Sequence, residues 1–132
     1  MWQDQNGPVT LIPDGFIGFV YEITNTVTGK RYIGKKLFYF SKTKQVKGKK
    51  KRIKVESDWK DYYGSNDELL ADVEKLGKDN FKRVILHYCK NKGLMTYIEL
   101  REQIDRRVLE DETYYNKWIM ARVTTNHIKA LK

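Results

Sequence analysis

Residues 17–37 read IGFVYEITNTVTGKRYIGKKL, and this stretch decides the fold. Its two ends are rich in β-branched and aromatic residues, which favour strands. Between them, residues 25–29 read NTVTG and carry the Asn and Gly that favour a tight turn. The stretch therefore predicts a β-hairpin, with one strand over residues 17–24 and a returning strand over residues 30–37.

One helix signal and one strand signal lie downstream of the hairpin. Ser65 and Glu68 have the spacing of a capping box, which predicts a short helix that ends at Gly77. Residues 81–89 hold consecutive Val, Ile and Leu and are predicted as the third strand. Residues 40–54 are predicted to form either a basic loop or a β-extension.

Two further helices are predicted toward the C-terminal end. Thr96 can cap a helix over residues 97–109, and residues 114–123 predict a last helix. The fold class is therefore α+β, with a small three-stranded antiparallel sheet flanked by helices. The predicted organisation is a single domain over residues 1–132, with an irregular lead-in over 1–15 and a basic insertion over 38–58.

Composition excludes several classes of protein. The chain has 132 residues, of which 40% are hydrophobic and 33% charged, a balance typical of globular proteins. The longest apolar run, residues 16–21, is far too short to span a membrane. No basic residue precedes Lys30, so no secretion signal is expected and the cytosol is the expected compartment. Cys89 has no second cysteine to pair with, and with two histidines it does not indicate a zinc site.

The positive charge is concentrated in one segment. The net charge is +9, yet residues 30–54 contain twelve Lys and Arg and no acid, while residues 1–29 contain three acids and no base. A solvated loop that aids solubility would explain such a run. An anionic membrane surface fits less well, because Gly48 and the consecutive lysines give no apolar stripe. The aromatic residues at 38–40 lie beside the run, which favours a nucleic acid.

The hairpin also carries seven residues at a distinctive spacing: Tyr21, Asn25, Gly29, Lys30, Tyr32, Ile33 and Gly34. This pattern resembles the signature of the GIY-YIG endonuclease family, in particular phage-type proteins similar to homing endonucleases. The resemblance covers about residues 17–118. Glu99 resembles the family's metal-binding glutamate, and Asn116 belongs to a late Tyr-Asn pair. Phe19 stands where the signature has its first glycine.

The resemblance implies a divalent-metal-dependent endonuclease that hydrolyses phosphodiester bonds in DNA. Tyr21 would activate or orient the attacking water, and Tyr32 would orient the water or the phosphate. Glu99 would hold one Mg²⁺ or Mn²⁺ ion, and Asn116 would fix the site by hydrogen bonding. A lone carboxylate suits Mg²⁺, because this ion keeps much of its hydration. Tyr21, with an ordinary pKa near 10, can act as a base only if its surroundings lower that pKa.

The family also has an arginine on a helix soon after the second tyrosine, and here the basic insertion replaces that stretch. Arg52 is the one arginine of the insertion and is predicted to take the catalytic role, with Lys35, Lys36 and Lys42 as the alternatives. The residues predicted to bind double-stranded DNA are Lys30, Gly34, Lys35, Lys36, Lys42, Lys49, Lys50, Lys51 and Lys54.

Each assignment has a structural alternative. Two tyrosines on a hairpin are common cross-strand packing partners. Glu99 stands three residues after Thr96, so a capping box alone would explain it. Asn116 could cap or turn the chain. Glu102, one turn further along the helix, is the alternative metal ligand.

At the level of function, the alternative is a non-catalytic nucleic-acid-binding module that keeps the nuclease fold. The replaced arginine favours this alternative. Specificity for DNA would come from the insertion, the lead-in, a homodimer on DNA or a partner protein.

Overall fold

A computed structural model of the chain describes residues 1–119 and residue 125. The strands are β1 (Gln3–Asp4), β2 (Gly7–Pro8), β3 (Gly18–Asn25), β4 (Arg31–Leu37), β5 (Tyr39–Val46), β6 (Lys49–Glu56) and β7 (Phe81–Cys89). The α-helices are α1 (Asp67–Leu76) and α2 (Lys92–Asp105), and single 3₁₀ turns cover Trp59–Asp61 and Lys78–Asn80. Among the described residues, no helix has the length and apolar character needed to cross a membrane.

The hairpin forms as the sequence predicts. β3 and β4 pair antiparallel, with Tyr21 opposite Gly34. The Asn25 side-chain oxygen accepts hydrogen bonds from the backbone N–H groups of Val27 and Thr28, at 3.0 and 3.2 Å. Gly29 has a φ of 81°, a conformation that glycine adopts without strain. The local chemistry of the turn therefore fixes the register of the two strands.

The sheet is larger than the three antiparallel strands predicted. Residues 81–89 do form the third strand, and β7, β3 and β4 are antiparallel neighbours. The lead-in was predicted to be irregular, but β1 pairs in parallel with β7 and β2 pairs with β1. The result is a mixed five-stranded sheet in the order β2-β1-β7-β3-β4. Burial drives this extension, because Trp2 is 1% exposed and its indole N–H donates to the Trp59 carbonyl at 2.6 Å.

Each face of the sheet carries its own hydrophobic cluster. Phe19, Tyr21 and Ile23 alternate along β3 and pack on one face with residues of α1. Val20 and Ile33 belong to the opposite face and pack against α2. The two helices therefore cover opposite faces, and β4 is left as the edge strand between them.

Both helices begin at an asparagine that the sequence analysis did not select. Asn66, rather than Ser65, is the N-cap of α1, and its side chain accepts from the Leu69 N–H at 2.9 Å. Asn91 caps α2 in the same way, through the Leu94 N–H at 2.8 Å. Asparagine is at least as good a cap as serine or threonine, so the residue with the better tertiary position prevails. The prediction of a cap at Thr96 was wrong.

The end of α2 and the last predicted helix also differ from expectation. α2 ends at Asp105 instead of 109, because Arg107 adopts a φ of 51° and turns the chain. Residues 114–119 are not helical: Tyr114 makes a parallel bridge with Arg31, and the Tyr115 N–H donates to the Arg31 carbonyl at 2.7 Å. Residues 120–123 of that predicted helix lie outside the described residues.

The basic segment forms a β-extension. β5 and β6 pair antiparallel over their whole length and make a separate two-stranded sheet, here called the ribbon. Lys47 and Gly48 connect them with φ values of 52° and 76°, and two positive φ values are what a type I′ turn requires. At its base, the buried Phe38 joins β4 directly to β5, and its carbonyl accepts from the Ser57 N–H at 2.7 Å. The ribbon thus continues the edge strand of the main sheet.

Candidate active site

A cleft with a volume of about 230 Å³ lies beside the open edge of β4. Five residues that the sequence analysis assigned to catalysis or DNA binding line it together: Tyr21, Tyr32, Lys35, Glu99 and Asn116. Six further lining residues were not assigned to the site from the sequence: Ser65, Asn66, Gln103, Lys117, Trp118 and Ile119. Because β4 lies at the edge of the sheet, side chains from both faces of the sheet can line the same cleft.

Gly34 makes room for Tyr21. The Tyr21 side chain is 1% exposed, and a Cβ atom at residue 34 would stand 2.5 Å from its hydroxyl oxygen and 2.9 Å from the Tyr32 ring. Gly64, with a φ of 93°, lies on another side, where a Cβ would be 3.6 Å from the same hydroxyl. No side chain other than hydrogen fits at residue 34 without moving Tyr21. The signature glycine is therefore a steric requirement of the signature tyrosine.

Both tyrosines are protonated in this environment. Burial raises the pKa of Tyr21 well above 10, and the neighbouring Tyr32 and Tyr62 raise it further. Burial also raises the pKa of Tyr32, although a hydrogen bond with the Ser65 hydroxyl, at 3.3 Å, lowers it in part. The protein alone thus holds Tyr21 as a neutral phenol, which positions hydrogen-bonding partners but does not remove protons.

Glu99 lies inside α2, seven residues after its first residue Lys92, so a capping role does not account for it. Its carboxylate is 12% exposed, and burial raises its pKa, an effect that Lys35 partly offsets. The Lys35 ammonium lies 3.9 Å from the Glu99 carboxylate and donates to the Thr96 hydroxyl at 2.9 Å. A buried carboxylate whose cationic neighbour lies 3.9 Å away is stabilised further when a second positive charge binds beside it.

The donors around Glu99 suit a hydrated divalent ion. No cluster of three or more His, Cys, Asp or Glu side chains occurs within the described ranges, which makes a fully protein-coordinated metal unsuitable here. Gln103 follows Glu99 by one helical turn and is 5% exposed. Its amide nitrogen donates to the Ile33 carbonyl at 3.2 Å, while its buried amide oxygen has no hydrogen-bond partner among the described residues. Oxygen donors of this kind bind hard divalent cations.

Asn116 binds the backbone of β4. Its side-chain oxygen accepts from the Ile33 N–H at 3.1 Å, and its side-chain nitrogen donates to the Ile33 carbonyl at 2.9 Å. The amide therefore substitutes for the missing neighbour strand at the centre of the signature. This geometry holds the segment between Tyr32 and Gly34 in place.

The alternative ligand Glu102 faces away from this arrangement. It accepts from His87 at 3.1 Å and from Arg106 at 3.0 Å. Burial alone would raise its pKa, but the hydrogen bonds from Arg106 and His87 outweigh burial and lower it. Glu102 is already hydrogen-bonded to Arg106 and His87 and is not one of the residues around the cleft.

The predicted cations divide into two groups. Lys30 is paired with Glu68 at 2.6 Å, and Lys36 with Asp58 at 2.6 Å, both on the body of the protein near the hairpin. Arg52 lies in β6 opposite Thr43 and does not line the cleft. In the described part of the chain no arginine lines the cleft, whose cations are Lys35 and Lys117. The remaining predicted DNA-binding lysines are exposed on the ribbon: Lys42, Lys49, Lys50, Lys51 and Lys54.

Comparisons with known proteins agree with this geometry. A family profile described as "Putative endonuclease segE, GIY-YIG domain" matches residues 2–119, and the chain belongs to this GIY-YIG family. Among curated proteins, "Putative endonuclease segE" of Enterobacteria phage T4 is 31% identical over 99 residues, covering 74% of this chain and 39% of the relative. The chain therefore spans about two fifths of the length of that relative. No solved structure gives a significant match.

Proposed function

We propose that this protein is a divalent-metal-dependent endonuclease that hydrolyses phosphodiester bonds in double-stranded DNA. One observation carries the proposal: Tyr21, Tyr32 and Glu99 line a single cleft at the edge of the signature hairpin. Membership of a family described by an endonuclease supports the same chemistry. The proposal implies action in the cytosol of a bacterial or phage-infected cell.

Hydrolysis needs an oriented water and positive charge near the phosphate. Tyr21, held neutral by burial, orients the attacking water through its hydroxyl. It could act as a base only as the phenolate, after its own proton has passed to solvent, which requires a cation at the cleft that lowers its pKa. Tyr32, supported by the Ser65 hydroxyl, orients the water or a phosphate oxygen. Asn116 keeps both tyrosines in register through the Ile33 backbone.

Glu99 would hold the divalent ion, with the Gln103 amide oxygen as a further oxygen donor on the same face of α2. A bound ion of this kind supplies Lewis-acid activation of phosphoryl oxygens. Lys35, which offsets the charge of Glu99 at 3.9 Å, would bind a non-bridging phosphate oxygen. Arg52 was predicted to be catalytic; because it does not line the cleft, it is reassigned to DNA binding, and Lys35 or Lys117 takes the part of the cleft cation.

A non-catalytic DNA-binding protein is the second candidate function. The cleft residues favour it in one respect: its described lining contains two lysines and no arginine to stabilise the charge of a transition state. Both candidates would bind DNA with strong salt dependence, so binding measurements do not distinguish them.

The test is nicking of supercoiled plasmid by the purified chain in Mg²⁺, Mn²⁺ or EDTA. Tyr21→Phe and Glu99→Gln preparations run beside two matched controls, Tyr97→Phe and Glu74→Gln, which change exposed side chains on α2 and α1. We expect metal-dependent nicking that falls by roughly 100-fold or more in the cleft variants, the usual scale for a lost proton-transfer group, and persists in the controls. Plasmid that is bound but never nicked in any metal would leave the non-catalytic protein as the function.

A further inference from the structure

The two faces of the ribbon carry different chemistry. Residues directly paired across two antiparallel strands point to the same side, and the side alternates along each strand. One face therefore carries four pairs. Tyr39 with Glu56 lies at the base, where Tyr39 is half-buried and packs against the core. The three outer pairs are here called the polar face: Ser41 with Lys54, Thr43 with Arg52, and Gln45 with Lys50. All six residues are exposed, and each pair joins one hydroxyl or amide to one cation.

The opposite face of the ribbon is mixed. Phe40 lies opposite Val55, and Lys42 lies opposite Ile53. Val55 and Ile53 are half-buried, whereas Phe40 on the same side is 42% exposed. The three pairs of the polar face contain no apolar side chain, and all of their residues are exposed.

The cations of the ribbon are not neutralised by the protein. Within the described residues, no ion pair involves any of the lysines or the arginine between residues 41 and 54. Residues 39–55 contain no acid at all, so the nearest carboxylate along the ribbon is Glu56 at its base. Unpaired positive charge of this density is complementary to the phosphate backbone of DNA.

We infer that the polar face of the ribbon enters a groove of double-stranded DNA and contacts the edges of the bases. This inference rests on the proposed DNA substrate. A two-stranded ribbon fits the major groove, which is roughly 12 Å wide. The side chains match its chemistry, since Arg and Lys bind guanine, Gln binds adenine, and Ser or Thr binds either. Arg52, at the middle pair of the face, is assigned to a guanine.

The length of chain between the cleft and the polar face, which runs through Phe38, limits the distance between these bases and the cleft. From Gly34 in the cleft to Gln45 on the ribbon, the chain extends at most about 36 Å at roughly 3.3 Å per residue. This length equals about one turn of B-DNA. The bases contacted by the ribbon therefore lie within about one helical turn of the bond in the cleft.

The experiment selects DNA from a random double-stranded library with the full chain in EDTA, so that binding is recorded without cleavage. Arg52→Ala and Gln45→Ala test the polar face. Lys51→Ala and Val46→Ala are matched controls, because each is the chain neighbour of a tested residue and lies on the opposite face. Arg52→Lys keeps the charge but loses the two-pronged contact.

The wild type is expected to select a motif, and Arg52→Ala to reduce the preference at one base pair by roughly 5- to 160-fold, the range for one bidentate contact. Arg52→Lys should lose most of the same preference. Lys51→Ala should keep the motif and weaken all sequences equally, with a salt slope lower by about 1. No motif in the wild type, or a motif unchanged in both polar-face variants, would overturn the inference.

The outcome is separable from that of the proposed nuclease activity. A motif that depends on Arg52, from a protein that never nicks plasmid, supports the ribbon inference and removes catalysis. Nicking at unselected sequences, with no contribution from the polar face, keeps the nuclease and removes the inference. Sequenced cut ends much farther than about 10 base pairs from the motif would also contradict it.

Discussion

Because Gly34 has no Cβ atom, the Tyr21 hydroxyl can lie against the backbone of β4. Gly34→Ala would place a carbon 2.5 Å from that hydroxyl, so the tyrosine must move. We expect the free energy of unfolding to fall by about 1–3 kcal/mol, the usual cost of overpacking. We expect the nicking rate to fall by more than the loss of folded protein accounts for. Thermal unfolding and plasmid nicking measure the two effects.

Gly93→Ala is the control for this substitution. Gly93 lies in the first turn of α2 at an ordinary φ, and a Cβ there would meet only the Asn91 side-chain oxygen at 3.5 Å. Alanine favours helix over glycine, so this variant should be as stable as the wild type or slightly more stable. Equal activity of the two alanine variants would contradict the steric role of Gly34.

Two carboxyl groups on α2 should affect stability with opposite sign. Burial raises the pKa of Glu99, so its folded-state pKa exceeds the ordinary value of 4.5 and ionising it costs the folded state free energy. Stability is lost as the pH rises from about 4.5 through the raised pKa. Glu99→Gln should therefore raise the Tm at pH 7 in EDTA, and the gain should vanish below about pH 4.

Glu102 is the matched control, three residues further on. Although burial raises its pKa, Arg106 and His87 lower it overall, so its ionised form stabilises the fold. That contribution is present above about pH 4.5 and is lost as the pH falls. Glu102→Gln should lower the Tm at pH 7. Melting curves of both variants with the same sign at pH 7 would show that the two environments are not as different as described.

At the scale of the element, the start of α1 separates stability from activity. Asn66 caps the helix and its side-chain nitrogen also donates to the Tyr115 carbonyl at 3.1 Å. Asn66→Ala should cost about 1–2 kcal/mol of unfolding free energy, seen as a lower Tm. Ser65→Ala loses only the contact with the Tyr32 hydroxyl, so it should keep the Tm and lower the nicking rate. A greater loss of stability in Ser65→Ala would restore the predicted cap.

The elements that the sequence predicted are those fixed by local chemistry. The hairpin and its turn depend on Asn25 and Gly29, which act within a few residues of themselves. The start of α1 was misplaced by one residue because Ser65 and Asn66 are both good caps, and the contact from Asn66 to Tyr115 favours Asn66. The start of α2 was misplaced by five residues, because Asn91 caps the helix well before Thr96. β1 was not predicted because a strand of two residues shows no periodicity. Its position in the sheet depends on the burial of Trp2 in the core.

The same distinction applies to the cleft. The signature spacing indicated Tyr21, Tyr32 and Glu99, and these residues do meet in one cavity. Gln103 gave no sequence signal, because its position depends on the Ile33 carbonyl, many residues away. Gly64 also gave no signal in the sequence, because it lies beside Tyr21 only in the folded chain. Arg52 was assigned by elimination, and the ribbon holds it outside the cleft lining.

At the scale of the whole molecule, the ribbon dominates the interaction with polyanions. Replacing residues 43–52 by Asn-Gly removes six cations and leaves the Lys42–Ile53 pair to close a new two-residue turn. Hydrogen-bonded and non-hydrogen-bonded pairs alternate along an antiparallel ladder, and the Lys42–Ile53 pair is of the same kind as the native closing pair Val46–Lys49. The hairpin should therefore re-form. The slope of log binding constant against log salt should become less steep by up to about 5, in a titration of DNA by fluorescence anisotropy.

Removal of three exposed cations elsewhere is the control: Lys75→Ala, Lys82→Ala and Arg101→Ala together. This variant should change the slope by less than about 1. The shortened chain should also keep its Tm within a few degrees, because the removed residues are exposed. A collapse of the fold would mean that the ribbon supports the core instead of projecting from it.

The position of Trp2 has a consequence for the order in which the chain acquires structure during synthesis. The Trp2 indole binds the Trp59 carbonyl and Gln3 pairs with Val84, so β1 and β2 cannot join the main sheet until β7 leaves the ribosome. The ribbon, by contrast, closes between neighbours and can form within roughly 10 μs of its emergence. The nascent protein therefore completes its basic arm well before it can close the sheet that carries the cleft.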